Sequence, residues 1–328
     1  MHCEAVAVDA CAPDPAAIAR AAKLLQSGGL VAFPTETVYG LGANALDVEA
    51  VARIFAAKGR PAKNPIIVHV PTKNDAKKLV CTWPDCAELL ANRFWPGPLT
   101  LVLPKHPCVP DLVTAGGPTV ALRVPAHPVA LALLHACGLP LAAPSANCST
   151  ELSPTRAEHV LRSLADRIDL LLDAGPTTGG LESTVLDLTT EPPRLLRPGL
   201  LCVAELESLL GSIDQSTPEQ KTLARSPGQM SRHYAPRTPL EVTVSSETRV
   251  ATLMQQGFLV GWLTHVKGTR GTSASCIVLP ADPIGYSAGL YAALHQLDEA
   301  GLDRIIVEMP PTATDWLAVH DRLRRAAG

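Results

Sequence analysis

The chain has 328 residues, of which 47% are apolar and 18% charged, and its net charge is −3. This composition is typical of a globular protein, and the near-neutral charge argues against a general nucleic-acid platform. No apolar run is long enough for a transmembrane helix, and residues 1–5 lack the order of a signal peptide. The nine cysteines include no Cys-x-x-Cys pair, which favours reduced thiols, a cytoplasmic location and no metal site built from protein side chains.

The first predicted helix and strand lead directly into a polar, glycine-containing stretch. Asp14 and Pro15 form the start of the helix, which ends at Gly28 and is followed by an apolar strand over residues 30–33. The strand stops in residues 34–42, PTETVYGLG, where hydroxyls, a carboxylate, a phenol and two glycines replace the apolar run. Polar loops at the ends of strands often hold ligands, so we interpret this stretch as a candidate binding loop.

A second predicted helix begins at Asp47, and a cationic stretch follows its end. Residues 58–65, KGRPAKNP, place Lys58, Arg60 and Lys63 around one glycine and two prolines. A rigid loop with several cations suits an anionic ligand such as a phosphate chain. The alternative is a solvated turn beside a charged helix end, and either stretch considered alone would favour that alternative.

The remainder of the first 211 residues alternates strand-like and helix-like patterns. Apolar runs predict strands at residues 66–70, 99–103, 119–124, 139–143, 168–172, 183–188 and 194–196. Amphipathic periodicity predicts helices at residues 84–94 and 128–136, and Thr155 with Glu158 predicts a capping-box helix that runs to residue 165. Several strands follow one another without an intervening helix, so we predict an α/β fold with a mixed sheet rather than a doubly wound parallel one.

A polar segment separates this first unit from a smaller one. The periodic pattern is lost after residue 211, and residues 226–236, SPGQMSRHYAP, have no clear period. From residue 239, predicted strands at residues 240–244, 259–263, 276–279 and 304–308 alternate with predicted helices at residues 247–256, 285–300 and 314–326. We therefore predict a large domain over residues 1–211, a linker or lid over residues 212–238, and a small three-layer domain over residues 239–328.

The sequence has no phosphate-binding glycine motif, so side chains are the candidates for an anion site. Neither Gly-x-x-x-x-Gly-Lys-Ser/Thr nor Gly-x-Gly-x-x-Gly occurs. Arg123 and Arg197 interrupt or end apolar strands, where a guanidinium needs an anionic partner, either a ligand or a structural carboxylate. Residues 144–147 and 182–185 place hydroxyls at strand ends, where turns and caps are also common. His69 considered alone fits a packed, hydrogen-bonded histidine.

The order of the motifs along the chain resembles one enzyme family. The segments are PTETVYGLGANA, KGRPAKNPIIVHV, FWPGPLTLVL, TVALRVPAHP, APSAN, SPT, ESTVLDLT and LLRPG. In this order they closely resemble the YrdC-like family of L-threonylcarbamoyladenylate synthases, and SPGQMSRHYAP with the small C-terminal domain is similar to its longer, two-domain subfamily. The resemblance implies a large twisted mixed sheet with a concave, cationic cleft, followed by a linker and a Rossmann-like domain.

The resemblance also implies a reaction and the residues that carry it. Synthases of this family join L-threonine, bicarbonate and ATP into threonylcarbamoyl-AMP, with release of pyrophosphate and with Mg²⁺ on the ATP. By motif, Lys58 and Arg60 would be catalytic. The threonine contacts would be Thr37, His69, Arg123, the backbone at Ala143, and Ser183. The ATP contacts would be Arg60, Asn64, Thr119, Ser145, Ser153, Arg197 and Tyr234.

The resemblance extends to partners and leaves two alternatives open. A tRNA threonylcarbamoyltransferase complex would take the product, direct tRNA contact would be weak or indirect, and no membrane contact is expected. The linker that carries Tyr234 is the candidate lid, because a labile carbamate needs protection from water. One alternative is a carbamoyl-adenylate-forming carbamoyltransferase, although the additional domains of such enzymes are not visible. The other is an RNA-binding or ribosome-associated module on the same fold, which the near-neutral charge disfavours.

Overall fold

Two β-sheets organise the chain, one of ten strands and one of four. The structure, a computed structural model, describes residues 3–216, 233–266 and 275–328. The large sheet contains β1 (Glu4–Ala7), β2 (Val31–Phe33), β3 (Gly40–Asn44), β4 (Ile67–His69), β5 (Leu99–Pro104), β6 (Thr119–Arg123), β7 (Leu141–Ala142), β8 (Leu170–Asp173), β9 (Thr184–Asp187) and β10 (Arg194–Arg197). Its strands lie in the order β1-β8-β2-β3-β7-β4-β6-β5-β9-β10.

Both strand directions occur in the large sheet, which confirms the predicted mixed α/β fold. β1 and β2 are parallel to β8, whereas β3 pairs antiparallel with β2 and with β7. β5 is antiparallel to β6 and parallel to β9. The parallel pairing of β4 with β6 sets His69 opposite Arg123 in register. Two residues predicted to bind the same ligand therefore lie on neighbouring strands.

Helices cover both faces of the large sheet. They are α1 (Pro15–Gln26), α2 (Val48–Lys58), α3 (Lys73–Lys77), α4 (Asp85–Phe94), α5 (Asp111–Thr114), α6 (Pro128–Cys137), α7 (Ala157–Leu164) and α8 (Val203–Leu210). On one face, α1 and α6 bury Leu25 and Leu133 against Phe33 of β2. On the other face, α2 contributes Ile54 to a core that includes Leu101 of β5. Burial of such side chains stabilises the fold by about 1.5–3 kcal/mol each.

The helix starts that the sequence predicts from capping residues are only partly confirmed. Carboxylate oxygens of Asp14 accept backbone N–H groups from the first turn of α1, and those of Asp47 do the same for α2. The predicted capping box at Thr155 is wrong, because the N-cap of α7 is Arg156, which makes no side-chain cap hydrogen bond. The N–H of Thr155 instead donates to Nδ1 of His159.

Five elements, β1, β3, α3, α5 and α8, were not predicted from the sequence patterns. β3 lies inside the stretch that we interpreted as a loop, and its Gly40 and Gly42 pair with Phe33 and Val31 of β2. A Cβ on Gly42 would lie 2.8 Å from the Phe33 ring, so the glycine allows an aromatic ring to lie across the strand. The candidate binding loop is therefore shorter than predicted and ends before Gly40.

The second sheet belongs to a small three-layer unit, as predicted. It contains β11 (Leu240–Thr243), β12 (Val260–Thr264), β13 (Ser275–Val278) and β14 (Arg304–Glu308), all parallel, in the order β11-β14-β12-β13. Its helices are α9 (Ser246–Gln255), α10 (Pro283–Asp298) and α11 (Leu317–Ala327). α9 buries Val250 against one face, and α10 and α11 bury Tyr291 and Leu323 on the other. The helix predicted from residue 314 begins later, after a 3-10 turn at Thr314–Trp316.

The second domain packs against the first through apolar side chains. Val38, Leu152 and Leu181 are buried in one core with residues of α10 and α11. Gly180 has a φ of +74° and lies against the backbone of α10, where a Cβ would come within 2.3 Å of the Ser287 carbonyl oxygen. Residues 217–232, most of the predicted linker, lie outside the described residues, and the boundaries at residues 211 and 238 stay predictions. In the described ranges, no helix has the length and apolar character needed to cross a membrane.

Two stacked histidines join the domains beside this core. The rings of His159 in α7 and His295 in α10 lie 3.8 Å apart, with an angle of 20° between their planes. Nε2 of His295 is 3.2 Å from the carbonyl oxygen of Ser153. Burial lowers the pKa of His159 to about 3 and that of His295 to about 4. The interface therefore holds two neutral imidazoles at neutral pH.

We expect the free energy of unfolding to decrease as the pH falls from about 6.5 towards 4. Unfolded histidines titrate near pH 6.5, so the unfolded chain binds more protons than the folded chain in this window and is favoured there. His159→Phe should make the melting temperature less dependent on pH, whereas the exposed His106 offers a control, His106→Gln, that should change nothing. A melting temperature of the unmodified chain that stays constant between about pH 7 and pH 4.5 would contradict this expectation.

Candidate active site

One cavity brings together motifs that lie far apart in the sequence. Its volume is about 50 Å³, and its wall is formed by Thr37, Val38, Arg60, Ile67, Arg123, Ala143, Pro144, Ser145, Glu182, Ser183, Arg197, His233 and Tyr234. Three guanidinium groups and one carboxylate therefore surround a space that holds about one or two water molecules. A small space with this excess of positive charge suits an anionic group.

Most of the sequence-predicted site residues line this cavity. Those that do are Thr37, Arg60, Arg123, Ala143, Ser145, Ser183, Arg197 and Tyr234. The predicted residues that are not part of its wall are Lys58, Asn64, His69, Thr119 and Ser153. The convergence of segments between residues 37 and 234 supports the site as a whole, and the role of each residue stays a prediction.

Arg123, the last residue of β6, is held by three hydrogen bonds. Nη2 donates to Glu36 Oε1 at 2.6 Å and Nη1 to Thr37 Oγ1 at 3.0 Å. Nε donates to the Gly97 carbonyl oxygen at 3.2 Å. A guanidinium has five N–H donors, so one N–H on each terminal nitrogen remains for a ligand. This fork matches the geometry of a carboxylate.

Arg197 ends β10 and is tied to Ser183 and Tyr234. Its Nε and Nη2 donate to the Ser183 carbonyl oxygen at 3.1 and 2.9 Å, and Nη2 also donates to the Ser183 hydroxyl at 3.1 Å. Nη1 lies 3.5 Å from the phenolic oxygen of Tyr234. The Ser183 hydroxyl is also 2.7 Å from the hydroxyl of Thr100 in β5. The network fixes a guanidinium, a hydroxyl and a phenol on one side of the cavity.

Arg60 lies just past α2, as predicted, but it is buried rather than solvated. Its Nε donates to the Asn64 carbonyl oxygen at 3.1 Å and its Nη2 to the Pro65 carbonyl oxygen at 2.7 Å. Burial, partly opposed by Tyr234 and reinforced by Arg197, lowers the pKa of Arg60 to about 10. The loop is folded around its own guanidinium, so Arg60 contributes to stability as well as to the charge of the cavity.

Lys58, predicted as a catalytic cation, contacts backbone carbonyls instead of the cavity. It is 2% exposed in the last turn of α2, and its Nζ donates to the Ser145 carbonyl oxygen at 2.5 Å and to the Asn147 carbonyl oxygen. Burial, followed by the charge of Arg60, lowers the pKa of Lys58 well below its usual value. Lys58 therefore anchors the loop that presents Ser145, and its catalytic role stays a prediction.

His69 lies at the end of β4, outside the cavity wall. Its ring packs edge-on against Phe33, with 6.5 Å between the ring centroids. Its Nδ1 is buried and has no hydrogen-bond partner within the described part of the chain. Burial, followed by the charge of Arg123, lowers the pKa of His69 well below its usual value, so the ring is neutral. The neutral ring lies opposite Arg123 on the neighbouring strand, and its contact with threonine stays a prediction.

The other predicted residues outside the wall support it from behind or lie farther along the strands. The Ser153 hydroxyl donates to Glu182 at 2.5 Å and so contacts the wall indirectly. The backbone of Asn64 binds Arg60, and its side chain is buried. Thr119 is the first residue of β6 and is only partly buried. Of these residues, Ser153 has the clearest connection to the cavity.

Sequence reasoning missed Glu36, Glu182 and His233. Glu182 and His233 line the cavity, and Glu36 pairs with the Arg123 guanidinium. Burial lowers the pKa of His233 to about 3, so it adds no charge. The available signal was that both carboxylates stand next to hydroxyl residues inside quoted motifs, TETV and ESTV. Such acidic residues are candidates for holding the site arginines in place.

Comparisons with known proteins match both domains. A family model described as "Telomere recombination" matches residues 23–199, and one described as "Threonylcarbamoyl-AMP synthase, C-terminal domain" matches residues 201–328. The threonylcarbamoyl-AMP synthase of Bacillus subtilis (strain 168) is 46% identical over 324 residues, which cover 95% of this chain and 93% of that protein. The chain belongs to the threonylcarbamoyl-AMP synthase family. Both the family and the two-domain subfamily that the motif order suggested are confirmed.

A relative and a solved structure from Pyrococcus abyssi extend the match to the whole fold. The threonylcarbamoyl-AMP synthase of strain GE5 / Orsay is 44% identical over 320 residues, which cover 94% of this chain and 93% of that protein. A crystal structure of P. abyssi Sua5 complexed with L-threonine has a TM-score of 0.93 and 42% identity, and it covers 99% of this chain and 97% of that chain. The large mixed sheet and the small parallel sheet are therefore the fold of this family.

Proposed function

We propose that this chain is a threonylcarbamoyl-AMP synthase that condenses L-threonine, bicarbonate and ATP into threonylcarbamoyl-AMP and pyrophosphate. The observation that carries the proposal is the cavity in which three guanidinium groups meet hydroxyls from separate motifs. Relatives that are 44% and 46% identical over most of both domains bear this name. Transfer of a nucleotidyl group needs positive charge around the phosphates more than it needs an enzyme nucleophile, and the wall supplies that charge.

L-threonine is the proposed occupant of the part of the cavity near β4 and β6. The remaining N–H fork of Arg123 would bind its carboxylate, and the hydroxyls of Thr37 and Ser183 would contact its polar atoms. The Thr37 hydroxyl is itself held by Arg123 and lies 2.7 Å from the Thr35 hydroxyl. The L-threonine complex of the P. abyssi relative supports a threonine site in this fold. A wall of this kind disfavours valine, because valine would leave the polar groups unpaired.

ATP is the proposed second substrate, and Arg60 and Arg197 are proposed to bind its phosphates. Both residues line the cavity, with Ser145 and Tyr234. Their charge would offset the repulsion between a carbamate and the α-phosphate and would stabilise the departing pyrophosphate. Mg²⁺ would enter as part of magnesium ATP and neutralise phosphate charge. In the described ranges no group of three or more His, Cys, Asp or Glu could hold a metal ion, so we assign it no protein ligand.

The proposed reaction has no covalent enzyme intermediate. The threonine nitrogen forms a C–N bond with the carbon of bicarbonate, from which a C–O bond breaks and water leaves, or with the carbon of CO2, in which case the amine releases a proton; both routes give a carbamate. A carbamate oxygen then attacks the α-phosphorus of ATP, and the bond from that phosphorus to the bridging oxygen of pyrophosphate breaks. The protein orients the two anions and surrounds them with fixed positive charge. This holds them close together and in line.

The space inside the cavity is small for the proposed substrates. A volume of about 50 Å³ is far below the roughly 300–1,000 Å³ of typical ligand pockets. Tyr234, which forms part of the wall, has a φ of +59°, a conformation that tyrosine rarely adopts. We infer that the linker opens to admit ATP and closes to protect the carbamate from water. Residues 226–232 of this candidate lid lie outside the described residues.

The product is proposed to pass to a tRNA threonylcarbamoyltransferase complex in the cytoplasm. Threonylcarbamoyl-AMP is a reactive mixed anhydride, so a transfer enzyme must consume it soon after release. The net charge of −3 supports weak or indirect contact with tRNA, because general RNA binding relies on basic surfaces.

Release of pyrophosphate tests the proposed function. We expect release to require L-threonine, bicarbonate and magnesium ATP, with serine about 10-fold poorer and valine at least about 100-fold poorer. Serine keeps the hydroxyl and loses one methyl group, whereas valine keeps the shape and loses the hydroxyl. Equal rates with threonine and valine would contradict the polar pocket. Absence of release, together with thermal stabilisation by tRNA alone, would favour the RNA-binding alternative.

A further inference from the structure

A buried ion pair joins the two domains at the wall of the cavity. Nε of Arg322, in α11, donates to Oε2 of Glu182 at 2.7 Å. The side chains of Arg322 and Glu182 are 1% and 7% exposed, so water screens neither charge. The partners are 140 residues apart in the sequence, and the pair is therefore a contact between domains rather than a local one.

Glu182 lies on the same wall as the cations proposed to bind ATP. It lines the cavity together with Arg60 and Arg197. Burial by itself would raise the pKa of Glu182, but the charges of Arg322 and Arg197 outweigh burial and hold that pKa below its usual value. Glu182 is therefore ionised. A carboxylate without a compensating charge at this position would repel the phosphates of ATP.

The second domain supplies groups that offset the charge of Glu182. Besides Arg322, the hydroxyl of Tyr291 in α10 lies 3.3 Å from both carboxylate oxygens. The first domain contributes a neutral donor, the Ser153 hydroxyl, at 2.5 Å. Docking of the second domain therefore brings both a neutral donor and a guanidinium to this carboxylate.

Arg322 is itself fixed in place and also contacts the proposed lid. Its Nη1 donates to the carboxylate of Asp321 at 2.8 Å. The guanidinium carbon lies 5.0 Å from the centre of the Tyr234 ring, at a distance typical of a cation–π contact. Because Tyr234 lines the cavity, one guanidinium connects the second domain, the lid residue and the wall carboxylate.

We propose that Arg322 is a positioning residue that acts through Glu182: by neutralising this carboxylate, it increases the excess of positive charge that the cleft offers to the phosphates of ATP. This inference rests on the proposed function, in which ATP is a substrate. The affinity for ATP then depends on docking of the second domain, and by linkage bound ATP favours docking. Arg322 differs in this respect from Arg60 and Arg197, which line the cavity themselves.

Binding of magnesium ATP to the full chain, measured by isothermal titration calorimetry, tests this role. Arg322→Gln should weaken ATP binding by about 10-fold or more, because Glu182 loses its compensating charge. Adding Glu182→Gln to this variant removes the repulsive charge and should restore the affinity to within about threefold of the unmodified chain. Arg322→Lys keeps the cation and should weaken binding less than Arg322→Gln. Arg324, in the same helix and 77% exposed, provides the matched control Arg324→Gln, which should change nothing.

Two results would overturn the proposal. One is an Arg322→Gln variant that binds ATP as tightly as the unmodified chain. The other is a double variant as weak as Arg322→Gln, which would mean that Arg322 acts through packing. A folded variant should still bind L-threonine, so loss of threonine binding identifies a variant that fails to fold. If Arg322→Gln fails to fold, the ATP affinities of Arg322→Lys and of the double variant are compared with that of the unmodified chain instead. An unmodified chain that binds ATP but releases no pyrophosphate would contradict the proposed function and leave this proposal standing.

Discussion

Replacing Arg123 with methionine should weaken L-threonine binding by about 100-fold or more and lower the melting temperature. Methionine keeps much of the side-chain volume but removes the N–H fork, and it leaves the partly buried Glu36 carboxylate without its partner at 2.6 Å. Each lost charge-assisted hydrogen bond to the substrate carboxylate costs roughly 1.5–3 kcal/mol. Isothermal titration calorimetry with L-threonine alone measures this affinity without any turnover.

Two variants make the Arg123 result specific. Arg123→Lys keeps the charge but not the planar fork, so its affinity should lie between those of the unmodified chain and Arg123→Met. Arg194→Met removes another strand arginine, whose pair with Asp214 is partly exposed and lies outside the cavity wall, so threonine binding should be unchanged. An affinity of Arg123→Met within about twofold of the unmodified chain would exclude Arg123 as the carboxylate anchor.

Local chemistry determines the parts of the fold that could be predicted from the sequence. Asp14 marks the start of α1 through its own side chain, and the apolar run at residues 99–103 becomes a buried strand. β3 could not be predicted in this way. Gly40 and Gly42 carry no apolar signal, and they form a strand because β2 and β7 lie on either side of them. The failed capping box has a local cause instead, because the ring of His159, four residues further along the chain, accepts the N–H of Thr155.

The residues of the candidate site also differ in whether the local sequence or only the tertiary structure shows their role. Arg123 and Arg197 were identified because a charge in an apolar strand needs a partner, and both lie in the cavity wall. Lys58 was identified from a similar cationic signal, yet its charge is directed to two backbone carbonyls. The sequence signal for a ligand-binding cation and for a loop-anchoring cation is therefore the same. The two kinds of cation differ only in the direction in which the side chain points, and the structure is needed to see it.

The contacts between the two domains could not be predicted from the sequence. Glu182 and Arg322 meet across 140 residues, and neither lies in a pattern that points to the other. Arg322 belongs to an amphipathic helix rich in arginine, in which a solvated position is the ordinary expectation. Its burial follows from the docking of α11 against the first domain, and this is a property of the complete fold.

Lys58→Met should lower the free energy of unfolding by roughly 2–4 kcal/mol. Methionine preserves most of the side-chain length but leaves the carbonyl oxygens of Ser145 and Asn147 without their donor. Each buried acceptor that loses its partner costs about 1–3 kcal/mol. Since Ser145 lies in the cavity wall, displacement of its loop should weaken ATP binding as well. Urea denaturation followed by circular dichroism measures the stability, and titration with magnesium ATP measures the binding.

Lys63 provides the matched control, because it belongs to the same cationic stretch as Lys58 but is exposed. Lys63→Met should change the free energy of unfolding by less than about 0.5 kcal/mol. If Lys58→Met kept full stability and lost only activity, Lys58 would be the catalytic cation that the sequence predicted, and the anchoring role would be wrong. If stability and ATP affinity fall together, the lysine acts through its loop, since a cation that served only the phosphates would not stabilise the protein in the absence of ATP.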